Sequence, residues 1–143
     1  MLVKHILRDK GRDVVSISPG ATLAEAAHML AGKRIGALVV RNSGGDIAGI
    51  LSERDIVRAL AQDSVKALAH TVSVHMTSEV ETCCETDTVE ELMETMTHRR
   101  LRHLPVVEAG RLAGIVSIGD VVKTRIAETV REAESLREYI GAG

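Results

Sequence analysis

The sequence predicts an α/β (α+β) fold made of two tandem copies of one unit, each running strand, helix, strand, strand, helix. Three observations predict it. A helix-opening Thr-x-x-Glu box stands at Thr22 and again at Thr88, each time opening the same apolar stripe. Each helix is followed by two apolar, β-branched runs around a turn, the pattern of a hairpin. Each hairpin then ends in a glycine-led strand, a serine and an aspartate three residues later: Gly49-Ile50-Leu51-Ser52-Glu53-Arg54-Asp55 and Gly114-Ile115-Val116-Ser117-Ile118-Gly119-Asp120.

In chain order, Val14-Val15-Ser16-Ile17 reads as a short strand and Ser18-Pro19-Gly20 as a turn. The helix opened by Thr22 and Glu25 carries Leu23, Ala26, Ala27 and Leu30 on one face, with Gly32 as its expected stop. Ala37 to Val40 and Ile47 to Leu51 are the hairpin strands, joined by Asn42-Ser43-Gly44-Gly45-Asp46. A helix carrying Ile56, Val57 and Leu60 follows Ser52, and Asp63 to His70 connects the copies. In the second copy Val80-Glu81-Thr82-Cys83 is the expected strand, and the helix after Thr88 carries Val89, Leu92, Met93 and Met96. Leu104-Pro105-Val106-Val107 and Leu112 to Val116 form its hairpin; a proline cannot donate to a ladder, so Pro105 marks an edge or a strand start. His75-Met76-Thr77 leads into the second copy much as His5-Ile6-Leu7 leads into the first. The units are thus expected in residues 1–68 and 69–130, with a helical extension and a fraying Gly141-Ala142-Gly143 tail in 131–143. Val122, Ile126, Thr129, Ala133, Leu136 and Ile140 follow a heptad-like spacing in that last helix. Such a seam either packs on its own domain or meets a second copy of the chain.

Composition limits the function classes. At 143 residues, 45% hydrophobic and 27% charged, the chain is long enough to bury a core without disulfide or metal staples. A formal charge of -2 with both signs mixed argues against nucleic acid as a partner. With no Phe, no Trp and one Tyr, there is no aromatic platform for stacking bases, so a ligand base would lie between aliphatic side chains. No apolar run approaches the length of a membrane span, and the apolar residues of 1–7 are broken by Lys4 and His5, so neither membrane insertion nor a signal peptide is expected. The two cysteines, Cys83-Cys84, are adjacent, which is poor geometry for a structural disulfide, and a reducing, cytoplasmic compartment is expected. No His/Cys/Asp cluster has metal-ligand spacing, so no metal is expected. No nucleophile stands beside an evident base, so no catalytic residue is assigned and the chain is not read as an enzyme.

The Ser-x-x-Asp corners carry the one coherent chemistry. Each is an ordinary helix cap. Each also sets a hydroxyl, a carboxylate and free helix N–H groups together, which suits a ribose and a phosphate. Arg54 and Arg58 lie near the first corner in sequence, and Arg99, Arg100, Arg102 and His103 near the second, where guanidinium groups would bind phosphate. Gly49 and Gly114 permit close approach by a ligand or by a neighbouring backbone.

These repeated corners, with Arg100-Leu101-Arg102-His103-Leu104-Pro105-Val106-Val107, resemble the CBS-domain pair, the regulatory module named after cystathionine β-synthase and also called a Bateman module. The resemblance covers about residues 1–130 and is to the stand-alone bacterial type. It implies two units packed about a pseudo-twofold axis, pairs that assemble as homodimers, and binding of an adenosyl ligand such as AMP, ADP, ATP, NAD(H) or S-adenosylmethionine. Energy or redox state would pass to an unidentified protein partner as the two units rearrange. By motif, Asp120 and Ser117 would hold ribose and phosphate, Arg102 and His103 the phosphate side, with Gly114, Leu104 and Pro105 beside them and Thr82 and Cys83 walling the base. The first corner would use Ser52, Asp55, Arg54, Ser16, Ile17 and Ala37. It departs from the pattern: Gly36-Ala37-Leu38-Val39 replaces Arg102-His103-Leu104-Pro105, leaving Arg54, Lys33, Arg34 or groups across the interface for phosphate. The second corner is therefore the preferred site. The alternatives are a purely structural module with empty clefts, and a redox sensor built on Cys83-Cys84.

Overall fold

The structure, a computed structural model, describes residues 1–142. The chain folds into two compact units. One is the continuous segment Asp13–Glu81; the other joins Met1–Arg12 to the chain from Thr82 onward.

In the Asp13–Glu81 unit, β1 (Ser16–Ile17) pairs in parallel with β2 (Ala37–Arg41), and β2 pairs antiparallel with β3 (Ile47–Ser52). The crossover is α2 (Leu23–Lys33). Its start is closed by the expected box: Glu25 N donates to Thr22 Oγ1 at 3.2 Å and Thr22 N to Glu25 Oε2 at 3.1 Å. Gly32 does not stop it. The helix runs on to Lys33, and Arg34 takes the left-handed turn at φ 54°. After β3 comes α3 (Glu53–Asp63), ended by Ser64 at φ 55°, then a 3-10 turn (Ser64–Ala69) in place of a continued helix. Four residues form α4 (Val72–His75). Leu23, Leu38, Leu51, Ile56 and Val72 meet in the core. Ile56 and Ala59 are the inward residues of α3, while Val57 is 65% exposed and Leu60 37%.

The other unit begins with α1 (Val3–Lys10). Its later part holds α5 (Val89–Arg99), β4 (His103–Glu108), β5 (Arg111–Ser117) and α6 (Ile118–Ala142). At α5, Glu91 N donates to Thr88 Oγ1 at 3.1 Å; this is the Thr half of the expected box. β4 and β5 pair antiparallel, with His103 opposite Ser117. The expected strand at 80–83 is reduced to one parallel bridge, Cys83 to Val106. The reason is Pro105. In the first unit Val39 N donates to Val15 O at 3.3 Å, but Pro105 occupies the matching position of β4 and has no N–H to donate. Two bonds remain, Cys83 N to Pro105 O at 3.0 Å and Val107 N to Cys83 O at 2.9 Å. β4 is thus an edge on the proline side. α6 includes Gly141 and Ala142 of the tail expected to fray; Gly143 lies outside the described residues.

The lead-in segments are exchanged between the repeats. α1 precedes the first repeat in sequence, yet it packs on β5 and bonds to the second: Val3 N donates to Asp87 O and Lys4 N to Glu85 O, both at 2.9 Å. α4 precedes the second repeat but bonds to the first, through Val72 N to Ala21 O at 2.7 Å and Ser73 N to Pro19 O at 3.0 Å. Val3 and Val72 are both fully buried in these matching seats.

Candidate functional site

Each corner is built by the same local logic. A strand ends at serine, the backbone turns, and the aspartate three residues on reaches back. At the second corner Ser117 N donates to Asp120 Oδ2 at 2.8 Å and Asp120 N to Ser117 Oγ at 3.2 Å. At the first, Ser52 N donates to Asp55 Oδ2 at 2.8 Å and Asp55 N to Ser52 Oγ at 3.3 Å. The first helical N–H is satisfied from the preceding strand's approach: Ile118 N by Arg102 O at 2.8 Å, and Glu53 N by Gly36 O at 3.0 Å. The cap reading is therefore correct at both corners. Capping fixes the hydroxyl and carboxylate that a ligand would meet; both residues stay partly exposed at each corner.

The corners differ in what faces the carboxylate. Lys10 Nζ, from the end of α1, lies 2.7 Å from Asp120 Oδ2 and donates to Ile115 O at 3.0 Å. Burial disfavours the charged form of Asp120, but Lys10 and the Ser117 N–H and hydroxyl outweigh it and hold the carboxyl below the usual aspartate range. Among the described residues the cation beside Asp55 is Arg58 of its own helix, 3.5 Å away and 68% exposed. The cause is helix length. α1 continues to Lys10, whereas α4 stops at His75 and the chain turns to bridge Thr77 with Ile50.

Gly114 explains how α1 gets so close. A Cβ there would stand 2.7 Å from Leu7 Cδ2, so the missing side chain makes room for Leu7. At Gly49 a Cβ would stand 2.7 Å from both Met76 Sδ and Thr77 O. The approach that these glycines permit is taken by the lead-in segment, and Gly114 acts through Leu7.

Of the remaining candidates near the second corner, His103 sits opposite Ser117 on β4, and Arg102 precedes it with an exposed side chain. Leu104 and Pro105 are buried, Cys83 is buried at the single bridge, and Thr82 before it is exposed. Around the first corner, Ala37 lies opposite Ser52, Ser16 and Ile17 form β1, and Arg54 is exposed. Lys10 is the residue that reading the sequence missed. It lies 110 positions from Asp120, and no local pattern ties the two together. Cys83 is poorly suited to redox sensing. Burial, then the nearby Asp87, Cys84 and Glu108, push its thiol up to about 12, so the reactive thiolate is scarce at neutral pH. Among the described residues no group of three or more His, Cys, Asp or Glu could hold a metal ion, and no helix is long and apolar enough to cross a membrane.

The model of the CBS domain matches residues 3–62 and again 69–127. This chain belongs to the CBS-domain family. A CBS-domain protein from Agrobacterium tumefaciens is 50% identical, with a TM-score of 0.85 over 87% of this chain and 92% of that one. A CBS-domain protein from Pyrobaculum aerophilum, complexed with AMP, is 32% identical, with a TM-score of 0.74 over 84% of this chain and 89% of that one. The CBS-domain pair of protein MJ0100, in complex with 5-methylthioadenosine and S-adenosyl-L-methionine, is 28% identical, with a TM-score of 0.80 over 90% of this chain and 98% of that one. The CBS units of this chain thus put Ser52 with Asp55 and Ser117 with Asp120 at matching strand-to-helix corners.

Proposed function

We propose that this CBS-domain pair is a regulatory module that binds an adenosyl nucleotide, AMP, ADP, ATP or NAD(H), and reports energy or redox state to a protein partner. The observation that carries the reading is the corner itself: Ser117 Oγ and the Asp120 carboxylate, fixed by reciprocal hydrogen bonds at the mouth of a helix. A carboxylate accepts from two vicinal ribose hydroxyls, and the Ser117 hydroxyl can donate to a ribose or phosphate oxygen. Relatives complexed with AMP and with 5-methylthioadenosine and S-adenosyl-L-methionine support an adenosyl ligand. Arg102 and His103 are the proposed phosphate side, and Thr82 and Cys83 the base side. The protein does no chemistry of its own in this reading, and it acts in the cytoplasm.

A homodimer is the proposed assembly. Val122, Ile126, Leu136 and Ile140 of the α6 seam are 42 to 68% exposed, an apolar row that does not pack on its own unit. Nucleotide signals only if it binds one arrangement of the two units better than another, since equal affinity shifts nothing.

The test is a thermal-shift panel followed by calorimetric titration with AMP, ATP, NADH and S-adenosylmethionine. A ligand at ~100 times its dissociation constant adds about 2.7 kcal/mol of stability. Asp120→Asn is expected to weaken binding about tenfold or more, while Asp55→Asn has the smaller effect. Silence across the whole panel would leave both corners as helix caps in a structural module.

A further inference from the structure

The Lys10–Asp120 contact bears on which adenosyl ligands this site accepts, and the inference rests on the nucleotide-binding reading above. Lys10 holds one of the carboxylate oxygens that a ribose would use, in a contact 33% exposed on the lysine side and 23% on the aspartate side. A ribose diol binding Asp120 must therefore share that oxygen or turn the ammonium away. Turning it away frees an exposed ammonium close to the bound ligand, where an anion on the ligand would pair with it.

The surroundings favour an anion from the ligand. α1 and α6 border a cleft of about 190 Å³ beside Asp120, lined by Lys10, Lys123, Thr124 and Arg131, with Asp9 the one other acid. Ligand pockets begin near ~300 Å³, so this cleft suits a charged group and not a whole nucleotide. Neither Lys123 nor Arg131 has an ion-pair partner among the described residues. Lys123 stands one helical turn beyond Asp120 on the same face of α6. Once Lys10 and Asp120 cancel, two cations face one acid.

We propose that Lys10 is a specificity residue, which passes its ammonium from Asp120 to a ligand phosphate and so selects phosphorylated adenosine nucleotides over uncharged or sulfonium adenosyl compounds. A 5′-phosphate seated on the α1 side of Asp120, rather than at Arg102 and His103, gives the displaced lysine a charge-assisted partner. A thioether gives it none. A sulfonium adds a second positive charge to a cleft that already carries an excess. The Asp55 corner has no lead-in lysine, and its arginine comes from its own helix, so no such selection operates there.

Calorimetric titration of the full chain with AMP, 5′-methylthioadenosine and S-adenosylmethionine tests this, on the wild type, Lys10→Met and Lys10→Arg. Lys10→Met is expected to lose about tenfold in AMP affinity and to keep methylthioadenosine within about twofold. Lys10→Arg is expected to keep the preference for AMP, which covers the case in which Lys10→Met folds poorly. Raising salt from about 0.05 to 0.5 M should narrow the preference in the wild type and not in Lys10→Met. Equal losses for both ligands, unchanged AMP binding in Lys10→Met, or a wild type that prefers S-adenosylmethionine would each overturn the assignment. A wild type that binds none of the three removes the nucleotide reading itself, a different result from binding that ignores Lys10.

Discussion

Gly49 and Gly114 hold the same place in the two repeats, yet what faces them sets different tolerances. A Cβ at Gly114 meets only side-chain atoms of Leu7; a Cβ at Gly49 also meets the backbone oxygen of Thr77, which cannot move without breaking the Ile50 bridge. Gly49→Ala is therefore expected to cost about 2–3 kcal/mol and Gly114→Ala about 1 kcal/mol, read from urea denaturation. Asp120 supplies a second residue-scale expectation. Its carboxyl is held below the ordinary value, so the folded protein favours the ionised form more than the unfolded chain does. That stability is present above the ordinary aspartate value and is lost as pH falls from there through the lowered value of the folded protein. Lys10→Met should flatten this part of an acid-unfolding profile. The Ser-x-x-Asp pairs were legible because capping is local. Lys10 was not, because its contact with Asp120 depends on Leu7 seating over Gly114.

At the scale of elements, the repeats show how single residues edit a shared plan. Both repeats have the apolar stripe and the Thr cap of their first helix, and in both the buried positions match the expected face. The strand before that helix does not match. Pro105 deletes one donor, and a two-residue strand in one repeat becomes a single bridge in the other. A proline reads as an edge in the sequence, but which neighbour it deprives depends on pairing with a segment more than twenty positions away. α2 and α5 both end on an arginine in the left-handed region, Arg34 at φ 54° and Arg100 at φ 53°, where glycine is the usual occupant. Arg34→Gly and Arg100→Gly should each raise stability by about 0.5–1 kcal/mol in thermal melts, since relief of the left-handed strain exceeds the added chain entropy.

For the whole molecule, α6 carries the clearest consequence. Its heptad-like row left two readings open, packing on its own unit or meeting a second copy. Val121 is fully buried, whereas Ile126, Leu136, Tyr139 and Ile140 are 59 to 80% exposed. An apolar row left in water along one long helix favours the second reading. Leu136→Glu and Ile126→Glu are expected to shift the protein toward monomer in analytical ultracentrifugation while leaving the far-ultraviolet helix signal intact. A protein already monomeric at about 100 μM, or a dimer indifferent to both changes, would put the assembly elsewhere.

The sequence alone determined the duplicated unit, its helix faces and both Ser-x-x-Asp corners, because each depends on periodicity or on residues three or four apart. It also pointed to the second corner over the first, through Arg102, His103 and Pro105. Tertiary structure decided what lies against those corners. Val3 and Val72 open lead-in segments of similar pattern, so local preference could not say which repeat each would serve. Packing over Gly114 and Gly49 settled that choice and brought Lys10 from one end of the chain to Asp120 near the other. A contact between residues so distant has no periodic signature, and only the close packing of a particular helix on a particular strand creates it.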